Sequence, residues 1–409
     1  MSTMPLLTRV LRPLFRAYFS LCFSLEWDGL DRIPRSGPYI IISNHVHIMD
    51  PFFISPYMPH NVRWMAGSYL FRMKALGSIL ARFLTSIPKN QGRNDMQMMR
   101  ILTAAFKKGE VVGLFPEATR TWDGEPIAFD KALVKLIRIF KVPVVCINLE
   151  GGYFLHPRWA YSARKGPLTI RVVETLMPQD IEAMTLDALY QRIEKNIGFS
   201  HRAMQQKTPL PYRSTRRTEG ISQILYLTPG APADALISSQ GDIIRCPQIG
   251  LEVRMDEYDR LHVVSGTCPF PDIPAWREWE RHMLHEAYSK GTLPAFRPDK
   301  GARLEMFSDE RLRLRYIGDF LACLEKEGIR IIVPAHSRAA SLPPFERKKK
   351  EAVAIFLFSE MTSLIVNAKC TMEFSLQGKV WRLRLKKGEP VLKYSDLFTD
   401  IKNPESRSS

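Results

Sequence analysis

The sequence predicts an α/β domain followed by a β-rich domain. In residues 30–200, short apolar runs alternate with longer stretches of helical periodicity, a pattern typical of α/β domains. In residues 303–395, apolar and polar side chains alternate instead with period two, which indicates half-buried strands. At 409 residues the chain is long enough for two or three domains.

The first element is a predicted amphipathic helix in residues 1–25. Apolar side chains recur at helical spacing, at positions 7, 10, 11, 14, 18 and 21, while Arg9, Arg12 and Arg16 fall on another face. A basic helix rich in aromatic residues can lie in the plane of a membrane interface, and we predict this role, with attraction to anionic lipid. The alternative is an ordinary helix packed on the domain core.

A short motif follows the first predicted strand, residues 39–43. Residues 43–50 read SNHVHIMD and contain the pattern N-H-x4-D. Deprotonation of a hydroxyl needs a base that titrates near neutral pH, which His45 supplies. Asp50 can bind one imidazole nitrogen, fix the tautomer and stabilise the imidazolium. Because a spacing of five does not align two side chains on one helix face, we predict a strand-to-helix turn here.

The same residues permit a different hypothesis, a metal site. His45, His47 and Asp50 form H-x-H-x2-D, a set of side chains that can bind zinc or another metal in a metal-dependent hydrolase. Such enzymes need further ligands in matching clusters, and the other histidines are scattered along the chain. We therefore predict no metal and keep the hydrolase as an alternative.

A second motif follows the predicted strand 111–115. Residues 115–120 read FPEATR, and loops at strand ends commonly hold binding residues in α/β proteins. The guanidinium of Arg120 offers a planar set of donors suited to phosphate. Glu117 can accept from a substrate hydroxyl or hold Arg120 in place. Both residues, with Thr119, are predicted to bind substrate.

Together, N-H-x4-D and the F-P-E-x-T-R that follows it at residues 115–120 resemble the glycerolipid acyltransferase superfamily, whose best-known members acylate 1-acylglycerol 3-phosphate. The resemblance covers residues 25–200 and implies a mixed central sheet flanked by helices. It implies an O-acyltransferase in which His45 deprotonates the acceptor hydroxyl and Asp50 orients His45. The donor would be acyl-CoA or acyl-carrier protein, with no other cofactor, and the acceptor a lysophospholipid or a glycerol-phosphate-type molecule.

Two more segments resemble blocks of the superfamily. Residues 87–89 lie where the family has an apolar-x-basic element that helps to hold glycerol phosphate, which implies Lys89 as a second phosphate ligand and Arg93 as a reserve. An apolar strand with an internal proline, residues 142–147, matches a structural block. The chain departs from the family at Ala118, where glycine is usual, and at Lys89, where arginine is common.

Three shorter segments are predicted after the acyltransferase domain, which spans residues 26–200. They are a basic linker (201–219), a degenerate zinc-ribbon-like segment (220–265) and a helical connector (266–302). The ribbon resemblance rests on two turns whose four ligand positions hold Thr228, Ala231, Cys246 and Ile249. A closed zinc site needs four ligands, so a single thiol predicts a segment that folds without metal.

Residues 303–409 are predicted to form the β-rich domain. Its alternating strands and closing helix, residues 393–401, resemble a small barrel of the pleckstrin-homology or GRAM type, which implies a site for a lipid headgroup. The basic run 347–350 is a candidate for contact with anionic lipid, or else a solvated loop.

Composition limits the function classes. A net charge of +16 suits contact with nucleic acid or with an anionic membrane surface. No zinc finger or recognition-helix pattern is present, so we predict no nucleic-acid partner. Six cysteines without a C-x2-C pair indicate a reducing compartment. We predict a peripheral or monotopic protein on the cytoplasmic face of a membrane.

A rival hypothesis of another class is a non-catalytic lipid-binding protein at the membrane surface that has kept the same fold. The presence of His45, Asp50, Glu117 and Arg120 together disfavours it.

Overall fold

The chain forms two compact units. They consist of Met1–Arg158 with Ala163–Ser214, here called the N-terminal unit, and of Trp159–Ser162 with Thr215–Ser409, here called the C-terminal unit. The structure is a computed structural model, and it describes residues 6–67, 86–89, 95–117, 119–307, 314–334, 346–347, 351–367 and 370–402.

The N-terminal unit is built on a seven-stranded mixed sheet. Its strands are β1 (Ser24–Asp28), β2 (Ile40–Ser43), β3 (Val62–Gly67), β4 (Ile87–Lys89), β5 (Val111–Leu114), β6 (Val144–Glu150) and β7 (Pro167–Leu176). They lie in the order β1-β7-β6-β2-β5-β3-β4. All neighbours are parallel except the β6–β7 pair, which is antiparallel. The predicted mixed central sheet is thus confirmed.

Helices cover both faces of this sheet. They are α1 (Leu6–Cys22), α2 (Asp50–Ile54), α3 (Asp95–Lys107), α4 (Ala132–Phe140), α5 (Gly152–Leu155), α6 (Pro178–Ala183), α7 (Leu186–Ile197) and α8 (His201–Lys207). Successive residues of β2 point to opposite faces. Ile41 therefore joins a core that contains Phe19 of α1, while Ile40 and Ile42 join a second core that contains residues of α3, α4 and α7.

Helix α1 continues through Pro13 and packs one face on the first core. Phe19 is fully buried, and its ring lies 5.1 Å from that of Phe53 in an edge-on contact. The opposite face exposes three large apolar side chains, Leu14, Tyr18 and Leu21. Within the described part of the chain, no helix has the length and apolarity needed to span a bilayer.

The segment 201–219, predicted as a linker from its basic and proline-containing composition, begins with a helix. Ser200 caps α8 by accepting a hydrogen bond from the backbone N–H of Ala203, at 3.0 Å. Tyr212 is fully buried, and its hydroxyl donates to the carbonyl of Pro167 at 3.1 Å. The segment belongs to the N-terminal unit as far as Ser214, and the buried Tyr212 is one of its anchors. Composition alone does not reveal such an anchor.

The C-terminal unit starts with a four-stranded antiparallel sheet. Its strands are β8 (Ser238–Gln240), β9 (Ile243–Cys246), β10 (Leu251–Met255) and β11 (Leu261–Ser265), in the order β11-β10-β9-β8. Leu225, Leu251 and Val253 are buried in this region. Cys246 is also buried, and its thiol lies 3.7 Å from the side-chain oxygen of Gln248. The zinc-ribbon resemblance stays a prediction.

Helix α9 (Ile273–Ser289) leads into an eight-stranded antiparallel sheet that confirms the predicted β-rich domain. Its strands are β12 (Asp299–Phe307), β13 (Leu314–Glu325), β14 (Gly328–Pro334), β15 (Glu346–Arg347), β16 (Glu351–Leu357), β17 (Met361–Asn367), β18 (Thr371–Leu376) and β19 (Lys379–Arg384). The order is β15-β16-β14-β13-β12-β19-β18-β17, and helix α10 (Leu392–Lys402) follows. The basic positions 348–350 lie outside the described residues.

Candidate active site

The first motif forms the predicted strand-to-helix turn. Strand β2 ends at Ser43, and α2 begins at Asp50. The fully buried carboxylate of Asp50 accepts hydrogen bonds from the backbone N–H groups of Val46, at 2.8 Å, and His47, at 2.9 Å. These bonds curl the loop back on the start of the helix. They bring Asp50 within reach of the side chain of His45 although the two are five positions apart.

His45 and Asp50 form a hydrogen-bonded pair. The distance from Nδ1 of His45 to Oδ2 of Asp50 is 2.8 Å, and 22% of the His45 side chain is exposed. A carboxylate at Nδ1 favours the tautomer with its proton on that nitrogen, which leaves Nε2 as a proton acceptor. Burial lowers the pKa of His45 below its ordinary value, and Arg120 and Arg158 lower it further, against the opposing effect of Asp50. The imidazole is therefore neutral at neutral pH, as a general base must be.

The second motif and the residue that follows it hold the backbone of His45 on both sides. The N–H of His45 donates to Oε2 of Glu117 at 2.9 Å, and its carbonyl accepts from the N–H of Thr121 at 3.1 Å. Glu117 is 7% exposed, and burial raises its pKa to about 8. The structure thus places this carboxyl against the loop of the first motif, whereas the sequence interpretation gave it a substrate hydroxyl or Arg120 as partner.

Aromatic rings stack on the imidazole of His45. The ring of Phe115 lies 4.2 Å from it at an interplanar angle of 17°. On the far side of Phe115, the indole of Trp64 lies 4.8 Å away at 10°. Trp64 comes from β3, outside both motifs, and sequence reasoning missed it because a buried tryptophan on a strand carries no signal beyond an ordinary core residue.

Two arginines lie beside the pair. Arg120, predicted from its motif, is half-buried, and its charge acts on His45. Arg158 donates from Nη1 to the hydroxyl of Thr119 at 2.5 Å and to the carbonyl of Arg120 at 2.8 Å. Its guanidinium also lies 4.0 Å from the centre of the Trp122 ring. Thr119 is thus bonded to a cation in the free protein. Arg158 belongs to no recognised motif, and no spacing in the sequence pointed to it.

The other predicted phosphate ligands are Lys89 and Arg93. Strand β4 pairs with β3, with Lys89 opposite Gly67, and β3 pairs in turn with β5. Because these strands are parallel, their carboxyl ends meet at one edge of the sheet, where the FPEATR loop also lies. The backbone of Lys89 therefore lies at the same edge of the sheet as the FPEATR loop. Its side chain lies outside the described residues. Arg93 and Ala118 lie outside them as well.

The arrangement of His47 does not favour the metal hypothesis. Its Nδ1 accepts the backbone N–H of Met49 at 3.0 Å, and its ring packs against Phe53 at 5.1 Å. The side chain is buried, which lowers its pKa to about 4. In the parts of the chain that the structure describes, no three His, Cys, Asp or Glu side chains are grouped as metal ligands.

Comparisons with known proteins agree with this geometry. A family model described as Acyltransferase matches residues 24–150. A 1-acyl-sn-glycerol-3-phosphate acyltransferase from Limnanthes alba is 26% identical over 199 residues, which make up 48% of this chain and 68% of that protein. A protein of the same name from Bacillus subtilis is 25% identical over 175 residues, 40% of this chain and 84% of the relative.

A solved structure is also similar in part. The 1-acyl-sn-glycerophosphate (LPA) acyltransferase PlsC from Thermotoga maritima covers 49% of this chain and 79% of its own, with 19% sequence identity and a TM-score of 0.41. The family match spans both motifs and the strands that carry them. Residues 24–150 are therefore similar to an acyltransferase domain.

Proposed function

We propose that the protein transfers a fatty acyl group from a thioester, acyl-CoA or acyl-carrier protein, to the free hydroxyl of a 1-acylglycerol-3-phosphate-type acceptor. The observation that carries the proposal is the His45–Asp50 pair at 2.8 Å, because it leaves Nε2 of a partly exposed neutral imidazole available as a base. The relatives named above act on such acceptors by their names.

The chemistry needs no nucleophile from the protein. Nε2 of His45 takes the proton of the acceptor hydroxyl as its oxygen attacks the thioester carbonyl. Asp50 stabilises the imidazolium that forms. The C–S bond of the tetrahedral intermediate then breaks, the acyl oxygen ester remains, and the thiolate takes the proton from His45. The base is thus returned to its neutral form with every atom accounted for.

Positive charge next to the base suits an acceptor that carries a phosphate. Arg120 and Arg158 both act electrostatically on His45, and Arg158 fixes the backbone of Arg120 through the bond to its carbonyl. A guanidinium can bind two phosphate oxygens at once and so orient the acceptor as well as attract it. Lys89, at the same edge of the sheet, is proposed as a further phosphate ligand.

The direct test supplies labelled acyl-CoA and acyl-carrier protein to the purified protein with a panel of acceptors. The panel contains 1-acylglycerol 3-phosphate, glycerol 3-phosphate and lysophospholipids with larger headgroups. We expect transfer to 1-acylglycerol 3-phosphate to be the fastest. A folded protein that acylates none of them, yet binds lipid, would support the non-catalytic alternative.

Loss of the proposed phosphate ligands is expected to weaken mainly the binding of the acceptor. Arg120→Ala should raise the acceptor KM about tenfold or more, because a charge-assisted hydrogen bond contributes roughly 1.5–3 kcal/mol. Lys89→Ala should act in the same direction. Steady-state kinetics with each substrate varied in turn measures both constants.

The exposed Lys135 on α4 provides a matched control, since Lys135→Ala removes a positive charge away from the site. A rise in the KM of acyl-CoA alone would assign these residues to the phosphates of coenzyme A.

We also infer that α1 rests on a membrane surface through its apolar face. Leu14, Tyr18 and Leu21 are 62%, 54% and 87% exposed and form one stripe at spacings of four and three. Arg12 and Arg16 instead donate to the backbone carbonyls of His60 and Pro56, at 2.7 and 2.8 Å. Contact with lipid through this helix therefore rests on apolar side chains more than on these two cations. A cytoplasmic location is part of the same proposal.

Replacing the three exposed side chains by serine is expected to release the protein from lipid. The triple variant Leu14→Ser, Tyr18→Ser, Leu21→Ser should stay in the supernatant when sedimented with phosphatidylglycerol-containing vesicles, whereas the wild type pellets and remains bound in high salt. The control is Ile139→Gln, which removes a side chain that is 61% exposed on α4. Complete release of the wild type by salt alone would show that charge, not the apolar stripe, holds it.

A further inference from the structure

We propose that Trp64 is a positioning residue for the catalytic base, and that it sets the plane of the His45 imidazole by holding Phe115 against it. This inference rests on the proposed function of His45. Trp64 lies on β3, which carries neither motif, and would act on the reaction through the position of His45. The three rings form a column in which Phe115 is the middle member.

The indole of Trp64 is itself fixed on two sides. Its Nε1 donates to the hydroxyl of Ser55 at 2.8 Å, and the side chain is 1% exposed. It also lies against strand β5 at Gly113, where a Cβ would approach the indole Cε3 to 2.6 Å. The ring therefore fits only because position 113 has no side chain. Tilts of 10° and 17° between successive rings keep the three rings nearly parallel, so a change in the plane of the indole would change the surface on which Phe115, and through it His45, rests.

The hydrogen bond to Asp50 restrains the χ2 torsion of His45, because rotation about Cβ–Cγ moves Nδ1. The bond tolerates a range of angles, so the plane of the imidazole can still tilt within that range. The χ2 torsion of histidine has broad minima, so intrinsic preference does not fix the plane either. Proton transfer requires Nε2 to point at the acceptor hydroxyl. The flat surface of Phe115 narrows the tilt that the hydrogen bond leaves open, and Trp64 packs against Phe115.

The stack also keeps water from one face of the imidazole. Among the described residues, the charged or titratable groups that act on His45 or contact it are Asp50, Arg120, Arg158, the neutral His47 and Glu117, which binds its backbone. Replacing Trp64 removes none of these groups. Burial is the largest cause that lowers the pKa of His45. A loosened stack admits water, so the pKa of His45 should rise toward 6.5, its ordinary value.

The test compares Trp64→Leu, Trp64→Phe and Gly113→Ala with the wild type. Trp64→Leu should lower kcat about 10- to 100-fold, as expected for a misplaced reacting group, with little change in the acceptor KM. The acid limb of kcat/KM, which reports the free base, should move to higher pH. Trp64→Phe keeps an aromatic face and should recover most of the rate.

Gly113→Ala perturbs the same contact from the strand side. The added methyl must displace the indole, so it should reproduce part of the loss. In the Trp64→Leu background no indole remains to be displaced, and Gly113→Ala should cost nothing more. Additive losses in this double-mutant cycle would overturn the proposal, because residues that act through one contact are not additive.

Trp276→Leu is the matched control, since Trp276 is equally buried in the C-terminal unit. It should lower the melting temperature without moving the acid limb. An NMR titration of His45, assigned by its loss in His45→Ala, reads the same pKa with no substrate present. An unchanged titration and kcat in folded Trp64→Leu would refute the positioning role, whereas absence of transfer in the wild type would refute only the proposed function.

Discussion

Replacing His45 with alanine is expected to abolish acyl transfer. The variant loses the imidazole that binds Asp50 through Nδ1 and lies within the influence of Arg120. General base catalysis alone contributes about 10²- to 10⁴-fold, so the residual rate should approach that of the uncatalysed reaction in the bound complex. The measurement is release of free thiol from acyl-CoA in the presence of acceptor.

His282→Ala is the control for this change, because His282 is exposed on α9. Acceptor binding, followed by calorimetry, should survive in His45→Ala, since the phosphate ligands are untouched. Wild-type turnover in a folded His45→Ala variant would remove the base from the mechanism.

Replacing Asp50 with asparagine is expected to lower kcat by about 10³- to 10⁴-fold. An asparagine amide can donate to Nδ1 of His45, and this would shift the imidazole proton to Nε2, which then cannot act as a base. The change has a structural cost as well, because the carboxylate also accepts from the N–H groups of Val46 and His47. A drop in melting temperature should accompany the loss of rate.

Asp130→Asn separates the two effects. Oδ1 of Asp130 accepts the N–H of Ala132 at 2.7 Å at the start of α4, with no histidine as partner. This variant should lose a little stability and no activity. If Asp50→Asn keeps the wild-type kcat, Asp50 serves the loop conformation only and the tautomer argument fails.

The sequence predicted the local part of the site well. An apolar run that ends at Ser43, followed by His and Asp at a non-helical spacing, was enough to predict a strand-to-helix turn, and the structure has that turn. Hydrophobic pattern decides strand positions where one face is buried, so strands β2, β5 and β6 agree with expectation within a few residues.

Two kinds of feature in the site were not predicted. One is the direction in which a side chain points, and the other is contact between residues far apart in the chain. The side chain of Glu117 lies in a loop and was predicted to bind a substrate hydroxyl or to hold Arg120, whereas its carboxyl is buried and accepts from the backbone N–H groups of His45 and Ile127. Trp64 and Arg158 reach the site from β3 and from a loop after α5. A single sequence carries no signal for either approach, since both contacts join residues far apart in the chain.

The division of the chain into two units limits where it can be cut to produce either unit by itself. The backbone passes between the two units three times, after Arg158, after Ser162 and after Ser214. Trp159 is buried, its carbonyl accepts from the side chain of Gln223 at 2.9 Å, and the same carbonyl leaves no room for a Cβ at Gly220. A polypeptide cut after Ser214 would strand this tryptophan, and the remainder would lack four residues of its own fold. Residues 159–162 thus belong to the C-terminal unit although both of their flanking segments belong to the N-terminal unit, so neither unit can be produced whole as one continuous piece of the chain.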